Sequence, residues 1–411
     1  MKKISRVQLI VMLTILFFSK SSIGQIANNY PGDDSIQFDP NVLFVEMFEE
    51  PTITEMLTGW TNKSSVLTNI NFGATVPPGS PGSKSCKLTT IIGSTQNEDT
   101  YIFKRFLTGI SDSIFVRYYI KYNNSSTFHH SGVWIGGNYP STSYPGNHAG
   151  YKPAGDSAFH VGTEVRGATR FPQNSSYFGY YNYWMGMHQS NDTNPLTGTG
   201  YYWGNGFINS NPVSTINMSQ WTCIEVMVKM NNPVTSKTGE LKMWINGVQV
   251  SHYGYQFPNG TWNWQDFTNG TGLPFEGFQW RNNQVLKLNY IWLKNYSDVG
   301  SAGHINDLYF DHVVVAKSYI GPIYSKPTII NQNSNSASSS GVSFSKLVNS
   351  NLKITLGNER LNSVKVYDVV GKLIGEYFSD VIELSSFPKG IYFVKVQTDK
   401  GSITGKIVKI Y

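Results

Sequence analysis

Strand-like runs separated by clusters of Gly, Pro, Asn and Ser recur along most of this chain, and helical periodicity is nearly absent. The clearest runs are 42–48, 85–92, 100–106, 113–122, 132–135, 158–166, 183–188, 222–230, 240–245, 277–280, 286–293 and 307–316. They amount to about a dozen strands over some 280 residues. The run Glu240-Leu-Lys-Met-Trp-Ile245 enters Asn246-Gly247 and leaves as Val248-Gln-Val250. Asn-Gly between two strands is a strong hairpin signal, because both turn residues tolerate positive φ. Many strands and few helices predict an all-β fold: two packed antiparallel sheets, followed by a small C-terminal β-sandwich.

The 411 residues divide by composition. The chain opens with Lys2, Lys3 and Arg6, continues as a mostly apolar run from Val7 to Phe18, and reaches the small residues Ser22 and Gly24 before Gln25. This three-part grammar predicts a removable secretory signal peptide over 1–25. No Cys stands at the cleavage region, so a lipid anchor is not expected. The apolar run is shorter than the ~20 residues of a membrane helix, and no later segment reaches that length. No membrane span is therefore expected, and the route outward is through the periplasm.

The net charge of +6 is not spread evenly. Residues 1–25 carry four basic and no acidic residues, and 344–411 carry ten basic and six acidic. Residues 26–343 hold 18 basic and 20 acidic residues, a net of −2. A nucleic-acid binder concentrates basic residues on its working domain, so that class is set aside. Cys86 and Cys223 lie in separate strand-like runs and match no metal or redox spacing. An oxidising compartment permits their pairing, and two separate buried thiols are the alternative.

Residues 26–322 read as one large domain, and 323–341 as a flexible linker. The stretch Asn331-Gln-Asn-Ser-Asn-Ser-Ala-Ser-Ser-Ser-Gly341 has too little apolar surface to offset the entropy of ordering it. Residues 342–411 form a second β unit. Its motifs are Val366-Tyr367-Asp368 with Gly371-Lys372, then Leu384 through Gly390-Ile391-Tyr392, then the closing Lys406-Ile-Val-Lys409. On these residues the unit resembles the sorting domain of the type IX secretion system of Bacteroidetes. The resemblance implies export across the outer membrane, with the type IX machinery as partner and release or surface attachment as outcome.

The large domain closes with Leu288-Asn-Tyr-Ile-Trp292, Leu308-Tyr-Phe-Asp-His-Val-Val-Val-Ala316 and Tyr319-Ile-Gly-Pro322, preceded by Trp244-Ile-Asn-Gly247. In these it resembles the concanavalin A-like jelly roll of lectins, glucanases and polysaccharide lyases. Jelly rolls often hold a structural Ca²⁺, and Asp311 stands where such domains place an Asp, although no ligand spacing accompanies it. No other cofactor or metal is expected. The Glu-x-Asp-x-x-Glu motif of one glucanase family is absent. Only nine Glu occur in the domain, and Glu164 alone lies among His, Arg and aromatic residues. A retaining hydrolase, whose carboxyl groups stand about 5–5.5 Å apart, is therefore disfavoured.

A lyase acting on uronic-acid polymers needs other parts: a group that neutralises the carboxylate, a base for the α-proton and an acid for the leaving oxygen. Six of the eight His fall between 129 and 252. In 159–166 the alternation puts His160, Gly162, Glu164 and Arg166 on one face, and in 183–188 it puts Trp184, Gly186 and His188 on one face. The expectation is that these faces line a common groove. Arg166 would then bind the carboxylate, and His188 or His130 would be the base. Tyr183 or Tyr202 would be the proton donor, and Glu164 would orient a partner. Trp134, Trp184 and Trp203 would stack on sugar rings, with Gln189 and Arg281 completing the substrate-binding set. Arg281 could equally be a sheet-edge arginine. His129 and His130, being adjacent, should point to opposite faces of an extended strand. The partner is thus expected to be a polysaccharide, met by a lyase, by a lectin-like module without chemistry, or by an adhesive surface protein.

Overall fold

The computed structural model describes residues 25–409 except 95–98, 124–127, 146–148, 167–176, 194–197, 209–213, 299, 326–341, 346 and 369–370. Residues 1–24 of the expected signal peptide and 326–341 of the expected linker lie outside the described residues, whereas 323–325 are hydrogen-bonded to the large unit through Ile323 and Tyr324. The chain divides into two compact units, one ending at Pro327 and the other beginning at Thr328. Among the described residues no helix is long and apolar enough to cross a membrane.

The large unit is a sandwich of two sheets. Its strands are β1 (Val42–Glu46), β2 (Asn62–Lys63), β3 (Ile70–Gly73), β4 (Ser85–Ile91), β5 (Asp99–Ile110), β6 (Ser113–Tyr122), β7 (Gly132–Asn138), β8 (Ala158–Arg166), β9 (Tyr177–Tyr183), β10 (Asn205–Ile208), β11 (Thr222–Lys229), β12 (Glu240–Ile245), β13 (Val248–Tyr253), β14 (Asn259–Asn263), β15 (Asp266–Asn269), β16 (Leu273–Pro274), β17 (Leu288–Tyr296) and β18 (Ile305–Ala316). The first sheet runs β13-β12-β11-β6-β18-β4-β3, with β1 also on β18, and the second runs β16-β14-β15-β10-β9-β8-β7-β17-β5-β2. Their pairs are antiparallel except for the parallel β10–β15 pair. Asn246 and Gly247 both take positive φ, 49° and 80°, and turn β12 into β13 as the Asn-Gly signal predicts.

Alternation decides what each strand buries. From the first sheet Ile114, Val116, Tyr118 and Ile120 enter the core, and from the second Val133, Ile135, Phe159 and Val161. The Tyr118 hydroxyl meets Thr163 Oγ1 at 2.6 Å, joining the two sheets through the core. Asn295 Nδ2, from β17, donates to the Leu88 carbonyl of β4 at 2.8 Å. Thr163 and Asn295 therefore mark the inward face of the second sheet. Their neighbours Glu164 and Lys294 face away from the first sheet.

The outer side of the first sheet carries a buried ionic lock. Arg117 donates from Nη2 to Asp33 Oδ2 at 2.6 Å and from Nη1 to Asp33 Oδ1 at 3.3 Å. Asp33 also meets His312 Nδ1 at 2.7 Å, and His312 sits at a bulge of β18 with φ +47°. Glu225 accepts from the backbone N–H groups of Ile320 and Gly321, each at 2.7 Å. These contacts tie residues 25–38 and 319–323 to the sheet and satisfy charges that burial would otherwise penalise.

Cys86 and Cys223 are free, buried thiols. They stand on β4 and β11, three places apart in the strand order. At about 4.8 Å per strand that separation exceeds any disulfide reach.

The C-terminal unit has strands β19 (Ser343–Phe344), β20 (Leu347–Val348), β21 (Asn351–Thr355), β22 (Leu361–Tyr367), β23 (Leu373–Tyr377), β24 (Val381–Glu383), β25 (Gly390–Thr398) and β26 (Ser402–Lys409). They form a three-stranded sheet, β19-β21-β24, and a five-stranded sheet, β20-β26-β25-β22-β23. Leu352, Ile354, Val364, Val366, Val394, Val396 and Ile407 make its core.

Candidate functional site

The outward face of the second sheet is an interleaved lattice of large side chains and glycines. Register aligns Tyr183, His160, Gly136, Tyr290 and Arg105 in one row across β9, β8, β7, β17 and β5. The next row is Tyr181, Gly162, Trp134, Trp292 and Phe103. The third is Gly179, Glu164, Gly132, Lys294 and Tyr101. Gly136 explains the first row. With no side chain on β7 at that place, His160 Nδ1 reaches across to the Tyr290 hydroxyl. A methyl group at 136 would overlap that hydroxyl and the Phe159 carbonyl. Gly162 does the same for the second row, where the Trp134 ring lies against it.

At one end of this lattice stands a histidine–carboxylate pair. His130 Nδ1 is 3.2 Å from both Glu164 oxygens. The His130 side chain is 18% exposed and that of Glu164 4%. His130 precedes β7 in the left-handed region, φ +54°, a conformation costly for a side-chain-bearing residue and found where surroundings enforce it. That turn overturns the expected opposition of the two histidines: the His129 and His130 rings lie 3.8 Å apart, on the same side. His129 Nδ1 in turn meets Asp298 at 2.6 Å. The Tyr181 ring is 4.4 Å from His130, and its hydroxyl is 3.4 Å from that of Tyr183. Burial lowers the pKa of His130, outweighing the opposite pull of Glu164, so the imidazole is neutral at neutral pH. Burial raises the Tyr183 phenol, which is only 4% exposed.

His130, Glu164, Trp134 and Tyr183 therefore share one face. His188 does not join them. The strand ends at Tyr183, and 184–188 leave it through a turn, so alternation no longer governs the direction of His188. Its ring stacks 3.9 Å from Trp262, and Nε2 meets Glu276 at 3.0 Å. Trp262 stands in register with Phe267, Phe267 with Phe207, and Phe207 with Tyr180, which neighbours the inward Thr163 of β8. His188 thus belongs to the edge of the opposite face. Although burial raises the Glu276 carboxyl, its hydrogen bond from His188 leads the contacts that hold it below the usual range.

Trp184 is fully buried against Phe275, Phe278 and Trp280, so it is a core residue, not a sugar platform. Arg281 is also buried, and it spends its guanidinium on the carbonyls of Leu286 and Ser111 at 3.0 and 3.1 Å. Neither sheet edge nor substrate site describes it. The expected strand 277–280 shrinks to an isolated bridge at Phe278, and Trp280 instead donates its N–H to Asn231 Oδ1 and its indole N–H to the Lys229 carbonyl.

Tyr202, Gln189 and Trp203 lie on loops beside the lattice. Gln189 Nε2 donates to the Tyr202 hydroxyl at 3.1 Å, and Lys152 Nζ stands 5.4 Å over the Tyr202 ring. Trp203 stacks on Tyr201 at 4.8 Å, and the next residue, Gly204, lies against the Tyr181 ring. The backbone of Arg166 ends β8 one residue beyond the inward Val165, while its side chain lies outside the described residues.

The calcium expectation turns on Asp311. Asp311 is buried, and one of its oxygens accepts the His312 N–H at 2.7 Å while the other has no partner. Burial pushes its carboxyl up to about 8. Among the described residues no group of three His, Cys, Asp or Glu side chains gathers to hold a metal.

Sequence reasoning missed Tyr181, Tyr290 and Lys294. The signal was there in Tyr290-Ile-Trp292-Leu-Lys294-Asn-Tyr296, whose alternation sends aromatic and cationic residues to one face.

A family model described as a secretion system C-terminal sorting domain matches residues 348–410. No curated protein sequence matches the chain. Solved structures similar to it include alginate lyase Aly36B, at 12% identity and TM-score 0.41, covering 68% of this chain and 98% of that one. Alginate lyase vAL-1 from Chlorella virus gives 14% and 0.43, covering 68% and 100%. Endo-β-1,4-glucuronan lyase from the fungus Trichoderma reesei gives 11% and 0.40, covering 68% and 96%. The C-terminal unit is thus a secretion sorting domain of the type IX system, which marks the protein for the cell surface or beyond.

Proposed function

We infer that the large unit is a glycan-active domain that cleaves uronic-acid-containing polysaccharide by β-elimination, exported by way of the periplasm. The observation that carries this reading is the His130–Glu164 pair, 3.2 Å apart, on the same face as Tyr181 and Trp134. Glu164 accepts a proton-mediated contact from Nδ1, which leaves the Nε2 lone pair of a neutral imidazole free to act as base. His130 Nε2 takes the C5 proton of the uronate. The C–H electrons form the C4–C5 double bond as the C4–O bond breaks, and the leaving oxygen takes a proton from the Tyr181 hydroxyl. Glu164 stabilises the imidazolium that forms. Trp203, half-buried, offers ring surface to sugars, with Tyr202 and Gln189 at the rim, whereas Trp134 is buried and supports the pair from beneath.

The test is ultraviolet absorbance of the unsaturated uronate product, measured on a panel of uronic-acid polymers with the folded protein. Turnover on one polymer, lost in His130→Ala, supports the reading. No turnover on any polymer, with the polymers nonetheless retained, replaces it with a lectin-like function, which the aromatic face would serve equally.

A further inference from the structure

Lys294 stands on β17 in the same register row as Glu164, with only Gly132 between them. Two strand spacings separate the backbones of Lys294 and Glu164, about 10 Å. Gly132 contributes no side chain to that interval, and a Cβ there would strike the Thr163 carbonyl. Along this row an imidazole–carboxylate pair lies to one side of Gly132 and an ammonium-bearing side chain to the other.

The ammonium group itself is under-satisfied. The Lys294 side chain is only 12% exposed. Its Nζ lies 4.5 Å from the Trp292 ring centre, 4.9 Å from Tyr296 and 5.8 Å from Trp134. Its anionic neighbour is Asp99, at 3.6 Å, beyond good hydrogen-bond distance. The other Asp99 oxygen is buried without a partner, and burial raises its carboxyl against the pull of Lys294. Ring faces attract a cation, but they do not accept its N–H bonds as oxygens do. A largely buried ammonium with three donors and one loose partner is a ready receptor for an incoming anion.

The geometry points to Lys294 as the residue that receives the substrate's carboxylate, so that the sugar bound across this row is acidic and its α-carbon faces His130. This rests on the β-elimination reading for the identity of His130's partner atom, whereas the recognition of a carboxylate stands on Lys294 alone. The ammonium would neutralise the carboxylate, which favours the negative charge that develops when the neighbouring C–H bond breaks.

The experiment compares the full chain with Lys294→Met and Lys294→Arg, each checked for folding by thermal unfolding. Retention is measured by affinity electrophoresis in gels containing an acidic polyuronate or the same polymer with its carboxyls reduced to alcohols. A charged hydrogen bond contributes about 1.5–3 kcal/mol, so Lys294→Met should weaken retention by the acidic polymer roughly 10–100-fold. It should leave retention by the reduced polymer unchanged, and Lys294→Arg should preserve the acidic preference. A Lys294→Met protein that keeps the wild-type preference overturns the proposal, as does a wild type retained by neither polymer. Should the wild type show the Lys294-dependent preference without forming unsaturated product, the elimination reading falls and the carboxylate receptor stands. Should it form product with a preference indifferent to Lys294, the receptor falls and elimination stands.

Discussion

Glu164 holds the His130 imidazole with both carboxylate oxygens, each 3.2 Å from Nδ1, although His130 reaches it from a left-handed turn outside the strand. The pairing is long-range and fixes both tautomer and ring direction. Glu164→Gln keeps the shape and removes the charge that stabilises an imidazolium. Turnover should fall by about 10²–10⁴-fold in His130→Ala, and substantially in Glu164→Gln, with little change in KM. Initial rates on the cleaved polymer check it. A Glu164→Gln enzyme at wild-type rate would remove His130 as the assisted base.

The acid limb of activity follows from the lowered pKa of His130. The base works when neutral, so activity persists as pH falls past the ordinary value of about 6.5 and declines only below it. In Glu164→Gln the attraction that opposes burial is gone, and the limb should move further into acid. The profile of kcat/KM against pH reads this directly; a limb above the ordinary histidine value contradicts it.

Stability should fall on both sides of mild acidity, for different groups. Burial leads in raising Asp311 to about 8, and Glu225 and Glu46 to about 7. A raised folded-state pKa means that the folded form holds the proton more tightly. The stability this gives is complete below the unfolded carboxyl value of about 4 and is lost as pH rises through 7–8. Asp33 behaves oppositely: burial works against it, but Arg117 and His312 hold its carboxyl below the ordinary value. Its contribution is present above that value and disappears in strong acid. Tm measured from pH 4 to 9 should therefore decline toward the alkaline end, and Asp311→Asn should flatten that decline. An unchanged slope in the variant would clear Asp311 of the effect.

Removing Asp33 should expose how costly the lock on the first sheet is. Arg117 is fully buried, and Asp33→Ala removes the carboxylate paired with its guanidinium. The expected loss is about 3–5 kcal/mol in urea unfolding. A loss below about 1 kcal/mol would mean that the segment 25–38 is not held through this pair.

Trp184 distinguishes core from surface. Its ring is enclosed by Phe275, Phe278 and Trp280, so Trp184→Ala should cost about 3–5 kcal/mol of stability. Glycan retention per folded molecule should not change. Weakened retention at full stability would return Trp184 to the binding surface.

Much of the face was legible along single strands. The alternation of 158–166 places His160 and Glu164 together, and β8 has those bounds. It failed at 183–188, where one turn after Tyr183 sent Trp184 inward and His188 to the far edge. It failed again at His129 and His130, whose left-handed turn aligned rings that an extended strand would have opposed.

By itself the sequence determined the β architecture, the Asn246-Gly247 hairpin and the sorting unit with its Gly371 turn, because these rest on short-range spacing and turn chemistry. Which side chains meet was decided only by tertiary structure. Register between strands far apart in sequence set Glu164, Gly132 and Lys294 in one row, and buried Arg281 among carbonyls it could not have been known to approach. A period of two names a face, but the order and stagger of strands name the neighbours on it.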